Sequence, residues 1–313
     1  MANVTINKIS YSGWDNCIEI TNGIVDLIVT MDVGPRIIRY GFTGQENEMC
    51  EIESTLGLQG GDEWRIYGGH RLWHSPEDRQ RTYEPDNSPV SREEIPNGIK
   101  TIQRVEESTK IRKEMEITLS PNNSRVRVLH RLTNTGLLPV ELSVWSISAM
   151  ATGGKEVVPH TEKDTGLLPN RLLVFWPYTK LRDPRMSLGN KFMLLKHHPD
   201  TKQPAKFGTS NESGWAAYFN HHHLFVKYYD HIENARYPDF GVSYETYTND
   251  FMLEMETLSP LAVIEPSASI EHTEQWELFD NVPMPPDDEV EIEKALKDRV
   301  QGAGGRGQGT GKG

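Results

Sequence analysis

Apolar and polar residues alternate along much of this chain, with a period of two rather than 3.6. Met115, Ile117 and Leu119 alternate with polar neighbours. Val126, Val128, His130 and Leu132 share one face, opposite Arg125, Arg127, Leu129 and Arg131. Successive side chains of a strand point to opposite faces, so each run predicts a strand. Pro121-Asn122-Asn123-Ser124 between them predicts a turn. Upstream, residues 17–20, the Asn22-Gly23 turn and residues 24–31 read as a hairpin. Gly34-Pro35 breaks the chain before a strand over 36–42. Later strands are predicted at 140–150, 218–219, 224–229, 242–247, 252–258 and 270–279, with Trp145 on the side of Glu141 and Ser143. Residues 78–98, and a second region that opens at Gly153-Gly154 and Pro159-His160, includes Asn170 and Trp176-Pro177-Tyr178 and precedes the strand at 218–219, read as irregular connections.

The one helical signal is Pro285-Pro286-Asp287-Asp288, which starts a short helix carrying Glu293 and Lys297 at i,i+4. Frequent turn signals without βα alternation predict an all-β fold, a large antiparallel sandwich of two sheets. The expected organisation is one β domain over 1–284, the short C-terminal helix within 285–300, and a Gly-rich tail over 301–313 that is expected to be disordered.

Composition narrows the partners. A net charge of −12 over 313 residues argues against nucleic acid, which selects a basic face. The two cysteines, Cys17 and Cys50, form neither a disulfide framework nor a CxxC pair, so a reducing, cytoplasmic setting is expected. The first residues carry no basic n-region or apolar h-region of a signal peptide, and no apolar run is long enough to span a membrane. A monomer and a homodimer are both compatible with the sequence.

The densest chemistry lies in 64–77, WRIYGGHRLWHSPE. It fits neither period and reads as the rim and floor of a pocket. Aromatic faces suit the C–H face of a sugar ring, and Arg and His suit its hydroxyls or a carboxylate. His70 and His74 stand at i,i+4, but Gly68-Gly69 and Pro76 disfavour a helix and the glutamate of HExxH is missing, so no metal is expected. They are either general-acid candidates or packed loop histidines. Glu254 and Glu256 fall on one face of a predicted strand, with Leu253 and Met255 on the other, and read as candidate bases or as the solvated face of an edge strand. Arg36 after its Gly-Pro turn, Arg71, Trp64, Trp73, Trp176, Tyr178 and Lys206 are the substrate-binding candidates, with His160 and Arg185 in the same irregular segments. His221-His222-His223 reads as a solvated turn. There is no nucleophile elbow, phosphate loop or dinucleotide fingerprint.

Taken together, Gly34-Pro35-Arg36-Ile37, the block from Gly68 to Trp73, the run from Leu253 to Pro260, Glu271-His272 and Trp276-Glu277-Leu278 resemble a branch of the galactose mutarotase-like superfamily, relatives of the aldose 1-epimerases. The resemblance covers about residues 15–280 and implies a large β-supersandwich and a small carbohydrate ligand, neutral or acidic. In that superfamily a late-strand glutamate takes the anomeric hydroxyl proton and a histidine protonates the ring oxygen. Glu254 matches that glutamate, while Met255 and Glu256 depart from the Leu-Glu-Pro-Gln motif. The stretch comparable to the histidine strand, Val144 to Ser148, contains no histidine, so the resemblance leaves the acid to His70 or His74. Such chemistry needs no cofactor. The other readings are a non-catalytic carbohydrate-binding module and a polysaccharide lyase or hydrolase. For the hydrolase, two carboxylates on one strand are poorly placed to flank a glycosidic bond.

Overall fold

The computed structural model describes residues 3–300. The chain opens with β1 (Thr5–Tyr11), β2 (Trp14–Thr21), β3 (Val25–Thr30), β4 (Arg36–Phe42) and β5 (His70–Ser75). It continues through β6 (Ser91–Ile95), β7 (Gly98–Ile102), β8 (Ile111–Leu119), β9 (Val126–Asn134), β10 (Val140–Met150) and β11 (Lys155–Pro159). The short strands β12 (Leu173–Phe175), β13 (Met186–Leu188), β14 (Phe192–Lys196) and β15 (Ala205–Thr209) follow. The last are β16 (Trp215–Asn220), β17 (His223–Tyr229), β18 (Tyr244–Thr248), β19 (Leu253–Leu258), β20 (Ala262–Ile264) and β21 (Ser269–Phe279), before the helix α1 (Glu289–Leu296).

These strands form two antiparallel sheets. One runs β1-β2-β3-β4-β5-β10-β19-β18-β15-β12, with β20 attached to β10; the other runs β13-β14-β11-β16-β17-β21-β9-β8-β7-β6. The inward residues of both sheets, among them Leu72, Val144, Phe207 and Met255 of the first and Met115, Val128, Phe225 and Trp276 of the second, make one continuous core. Burying these alternate positions is what the period of two encodes. The predicted all-β sandwich is the observed architecture.

The differences are local. The stretch 64–77 is not irregular throughout: His70–Ser75 is a strand in the middle of the larger sheet, and all six of its residues are buried. A strand covered on both faces loses the polar alternation that would mark it. For the same reason β11, β14 and β15, each almost wholly buried, lie unannounced in the second region read as irregular. β6 falls inside 78–98. The turn His221-His222 has positive φ at both residues, as a tight hairpin loop requires. Its neighbour His223 is not solvated: it is buried and hydrogen-bonded to Glu48 at 2.6 Å and Gln45 at 2.8 Å. The helix starts where expected, with the Asp288 side chain accepting from the Val290 and Glu291 amides. Glu293 pairs with Lys191 at 2.5 Å, across to the β13–β14 turn, rather than along the helix with Lys297. The segment 301–313 lies outside the described residues. Among those described, no helix is long and apolar enough to cross a membrane.

Candidate functional site

Cross-strand pairing builds the site. Arg71 of β5 stands beside Ile147 of β10, Ile147 beside Glu256 of β19, and Glu256 beside Glu245 of β18. One row along, Glu254 pairs with Tyr247, and Tyr247 with Lys206 of β15. Trp73 pairs with Trp145. Directly opposed residues share a face, so all of these emerge on the outer face of the larger sheet, away from the core. There all of them except Glu245 line a cavity of about 390 Å³, closed by Trp64, Tyr83, Trp176 and Tyr178 from the connecting segments. That is the size of a small-molecule site.

The walls are aromatic. Trp73 meets Trp64 at 5.2 Å, Tyr83 at 4.9 Å and Trp145 at 5.4 Å between ring centroids. The charges are arranged in two groups. Arg71 Nη1 donates to Glu254 Oε1 at 2.7 Å, with its guanidinium 4.5 Å from the Trp73 ring. Lys206 Nζ lies 2.8 Å from Glu256 Oε2 and 2.7 Å from Glu245 Oε2, and 4.7 Å from the rings of both Trp145 and Trp176. Trp145 Nε1 also donates to Glu256 Oε2, at 2.8 Å.

Burial opposes the charges of Lys206, Glu245 and Glu256. It works against the Lys206 ammonium, but Glu245 and Glu256 outweigh it and hold the group well above the usual lysine value. Burial pushes the carboxyls of Glu256 and Glu245 up, against the pull of Lys206. Glu256 Oε1, Trp64 Nε1 and Arg71 Nε are buried without hydrogen-bond partners. Unpaired polar atoms in a cavity wall are places where a ligand's hydroxyls gain the most.

Of the residues picked from the sequence, Glu254, Glu256, Trp64, Arg71, Trp73, Trp176, Tyr178 and Lys206 line this cavity. His70 and His74 do not. They occupy the even positions of β5 and point through the sheet into the core, because alternation that sends Arg71 and Trp73 outward must send them inward. Arg36 stands beside Arg71 across β4 and β5 but is covered: it donates to Gly68 O at 2.6 Å and Asp86 at 2.7 Å, a buried pair outside the cavity lining. His160 bonds Gly189 O, and Arg185 pairs with Asp183, both elsewhere. The sequence reading did not select Trp145, Tyr83, Tyr247 or Glu245. The one available signal was alternation in Tyr244-Glu245-Thr246-Tyr247, which places a carboxylate and a tyrosine on one face.

Behind the sheet lies a second polar cluster. His70, His130 and Glu274 present ligand atoms within 4.8 Å of one another. Their chemistry does not fit a cation. His130 Nδ1 donates to His272 O at 3.0 Å, so its Nε2 accepts from His70 Nε2 at 2.7 Å, and His70 Nδ1 accepts from Ser148. Glu274 accepts from Ser146, Thr257 and Trp276, and Lys227 lies 3.1 Å away to match its charge. Every group is already satisfied.

No protein-family model matches the chain, and no curated protein matches its sequence. Solved structures match its fold. A galactose mutarotase-like protein from Lactobacillus casei superimposes with a TM-score of 0.53 at 10% identity, over 84% of this chain and 100% of that one. One from Clostridium acetobutylicum gives 0.53 at 12% identity, over 89% and 99%. This chain has the galactose mutarotase-like fold. A galactose mutarotase related enzyme from Lactobacillus acidophilus extends the likeness, with a TM-score of 0.50 at 10% identity over 85% of this mutarotase-like chain and 98% of its own.

Proposed function

We propose that the cavity binds a carbohydrate and carries acid–base chemistry at its anomeric centre. The observation that carries this reading is the projection of Glu254 and Glu256 from β19 into an aromatic-walled cavity of sugar size. Trp73 and Trp176 offer ring faces for stacking, Arg71 orients hydroxyls, and Glu254 takes the anomeric hydroxyl proton. The mutarotase-like fold supports a carbohydrate ligand, and the ion pairs that Arg71 makes with Glu254 and Lys206 with Glu256 favour a neutral sugar over an acidic one, which would have to displace a carboxylate. The acid is not His70 or His74, which lie behind the sheet. That gap is what favours the second reading, a sugar-binding module on the same scaffold.

A thermal-shift screen of monosaccharides and uronic acids, followed by NMR of anomer exchange with the best binder, separates the two. A ligand that binds only the folded chain raises its stability by mass action. Expected is a shift with neutral sugars and exchange faster than the uncatalysed rate. Glu254→Gln is expected to abolish exchange and leave binding measurable. Undiminished exchange in that variant removes Glu254 from the chemistry, and binding without exchange in the parent chain establishes the module.

A further inference from the structure

Three buried charges meet at the back of the cavity. Glu245 and Glu256 are direct cross-strand partners, both buried, with Lys206 Nζ in contact with an oxygen of each. Two carboxylates against one ammonium leave one negative charge in excess, away from water. Like charges at such range do not both ionise without a large penalty.

We propose that Glu245 and Glu256 hold one proton between them, and that Glu256 delivers it to the ring oxygen of the sugar, the step for which no histidine is within reach. This rests on the carbohydrate reading of the cavity. Glu256 is the member of the pair that lines the cavity, and its Oε1 is buried without a partner. A ligand oxygen would supply one. Lys206 touches both carboxyls and gives the proton a path between them. Burial raises both carboxyls, in the same direction.

The other charges near the pair do not cancel its excess. On the cavity side Arg71 of β5 is taken by Glu254, the neighbour on Glu256's own strand. Tyr178 and Tyr247 are kept neutral by burial. Across the sheet, Lys227 of β17 is matched by Glu274, and Glu156 of β11, whose carboxyl burial raises to about 8, supplies no positive charge. Asp239 adds negative charge on the side of Glu245.

The step balances. The proton leaves Glu256 for the ring oxygen as its bond to the anomeric carbon breaks. The anomeric hydroxyl becomes a carbonyl as its proton passes to Glu254. Reclosure on the other face reverses both transfers and consumes nothing. Glu245 touches no substrate; it is a positioning residue that sets the protonation of Glu256.

The test is an NMR titration of the full chain carrying 13C at the glutamate carboxyls, beside the pH profile of anomer exchange. One carboxyl of the pair is expected to stay protonated at neutral pH. Glu245→Gln is expected to ionise Glu256 there and to move the alkaline limb of kcat/KM down by about one pH unit or more, with KM changed less than about twofold. A pair fully ionised at neutral pH, or a Glu245→Gln profile that superimposes on the parent, overturns the proposal and leaves the sugar reading standing with another acid. A shared titration in a chain that neither binds nor interconverts sugars overturns the sugar reading, and with it the use assigned to this proton.

Discussion

At the scale of single residues, polarity did not decide which side chains went inside. Glu274 and Lys227 are completely buried, and the carboxyl of Glu274 is held far below the usual carboxylate range: burial raises it, but Lys227 and the surrounding histidines outweigh that. Replacing Glu274 by Gln leaves the buried Lys227 ammonium without the carboxylate it contacts. Breaking one half of a buried pair costs about 3–5 kcal/mol. Urea denaturation of Glu274→Gln is expected to show a loss of that order, and a loss below about 1 kcal/mol would mean that Lys227 finds another partner. The cavity residues follow the same rule with the opposite result. Glu254 and Glu256 read equally well as the solvated face of an edge strand, but β19 lies between β10 and β18, so their surroundings are tryptophans and cations rather than water.

At the scale of elements, the site depends on how β5 enters the sheet. Gly68 and Gly69 both have positive φ, and a Cβ on Gly69 would sit 2.4 Å from the carbonyl oxygen of Ile37. That oxygen belongs to the β4 backbone and has no freedom to retreat. The glycine pair therefore exists for close approach between strands. Gly69→Ala is expected to destabilise the fold by more than about 1 kcal/mol in chemical denaturation, because strain and clash add. It should also weaken sugar binding, since Arg71 and Trp73 ride on the same strand. Parent-like stability in this variant would show that β4 and β5 can separate without cost. The same strand explains the failed assignment of the histidines: one residue of register decides between cavity and core, and a strand buried on both faces carries no pattern that reveals the choice.

At the scale of the whole molecule, the buried titratable groups pull stability in opposite directions with pH. Burial pushes His74, His130 and His272 down to about 3, about 4 and about 3, so the folded chain refuses protons that the unfolded chain accepts, and stability falls with acid. Glu156 opposes them. Burial raises its carboxyl to about 8, against hydrogen bonds from Thr246 and Tyr244. Between the unfolded carboxyl value and about 8, the folded chain keeps a proton that the unfolded chain has released. Its stabilisation is whole at low pH and is lost as pH rises through that window, by about 1.4 kcal/mol per pH unit. Glu156→Gln fixes the neutral form. The stability of this variant relative to the parent is expected to rise by about that slope between pH 6 and pH 8. A difference that stays constant across the window would place the carboxyl of Glu156 outside it.

The sequence by itself determined the elements that meet water on one face, because only there does solvent impose alternation: Val126, Val128 and Leu132 of β9 turn inward while Arg127 is exposed, and the strand read at 270–279 is β21, in which buried and open positions alternate. It also determined the sandwich class and the helix start at Asp288. Only the tertiary structure decided which face of β5 looks into the cavity, and that Arg71 meets Glu254 across 183 residues while Lys206 meets Glu256 across 50. Those pairings come from strand order and register over the whole sheet, and no local pattern in the chain carries that information.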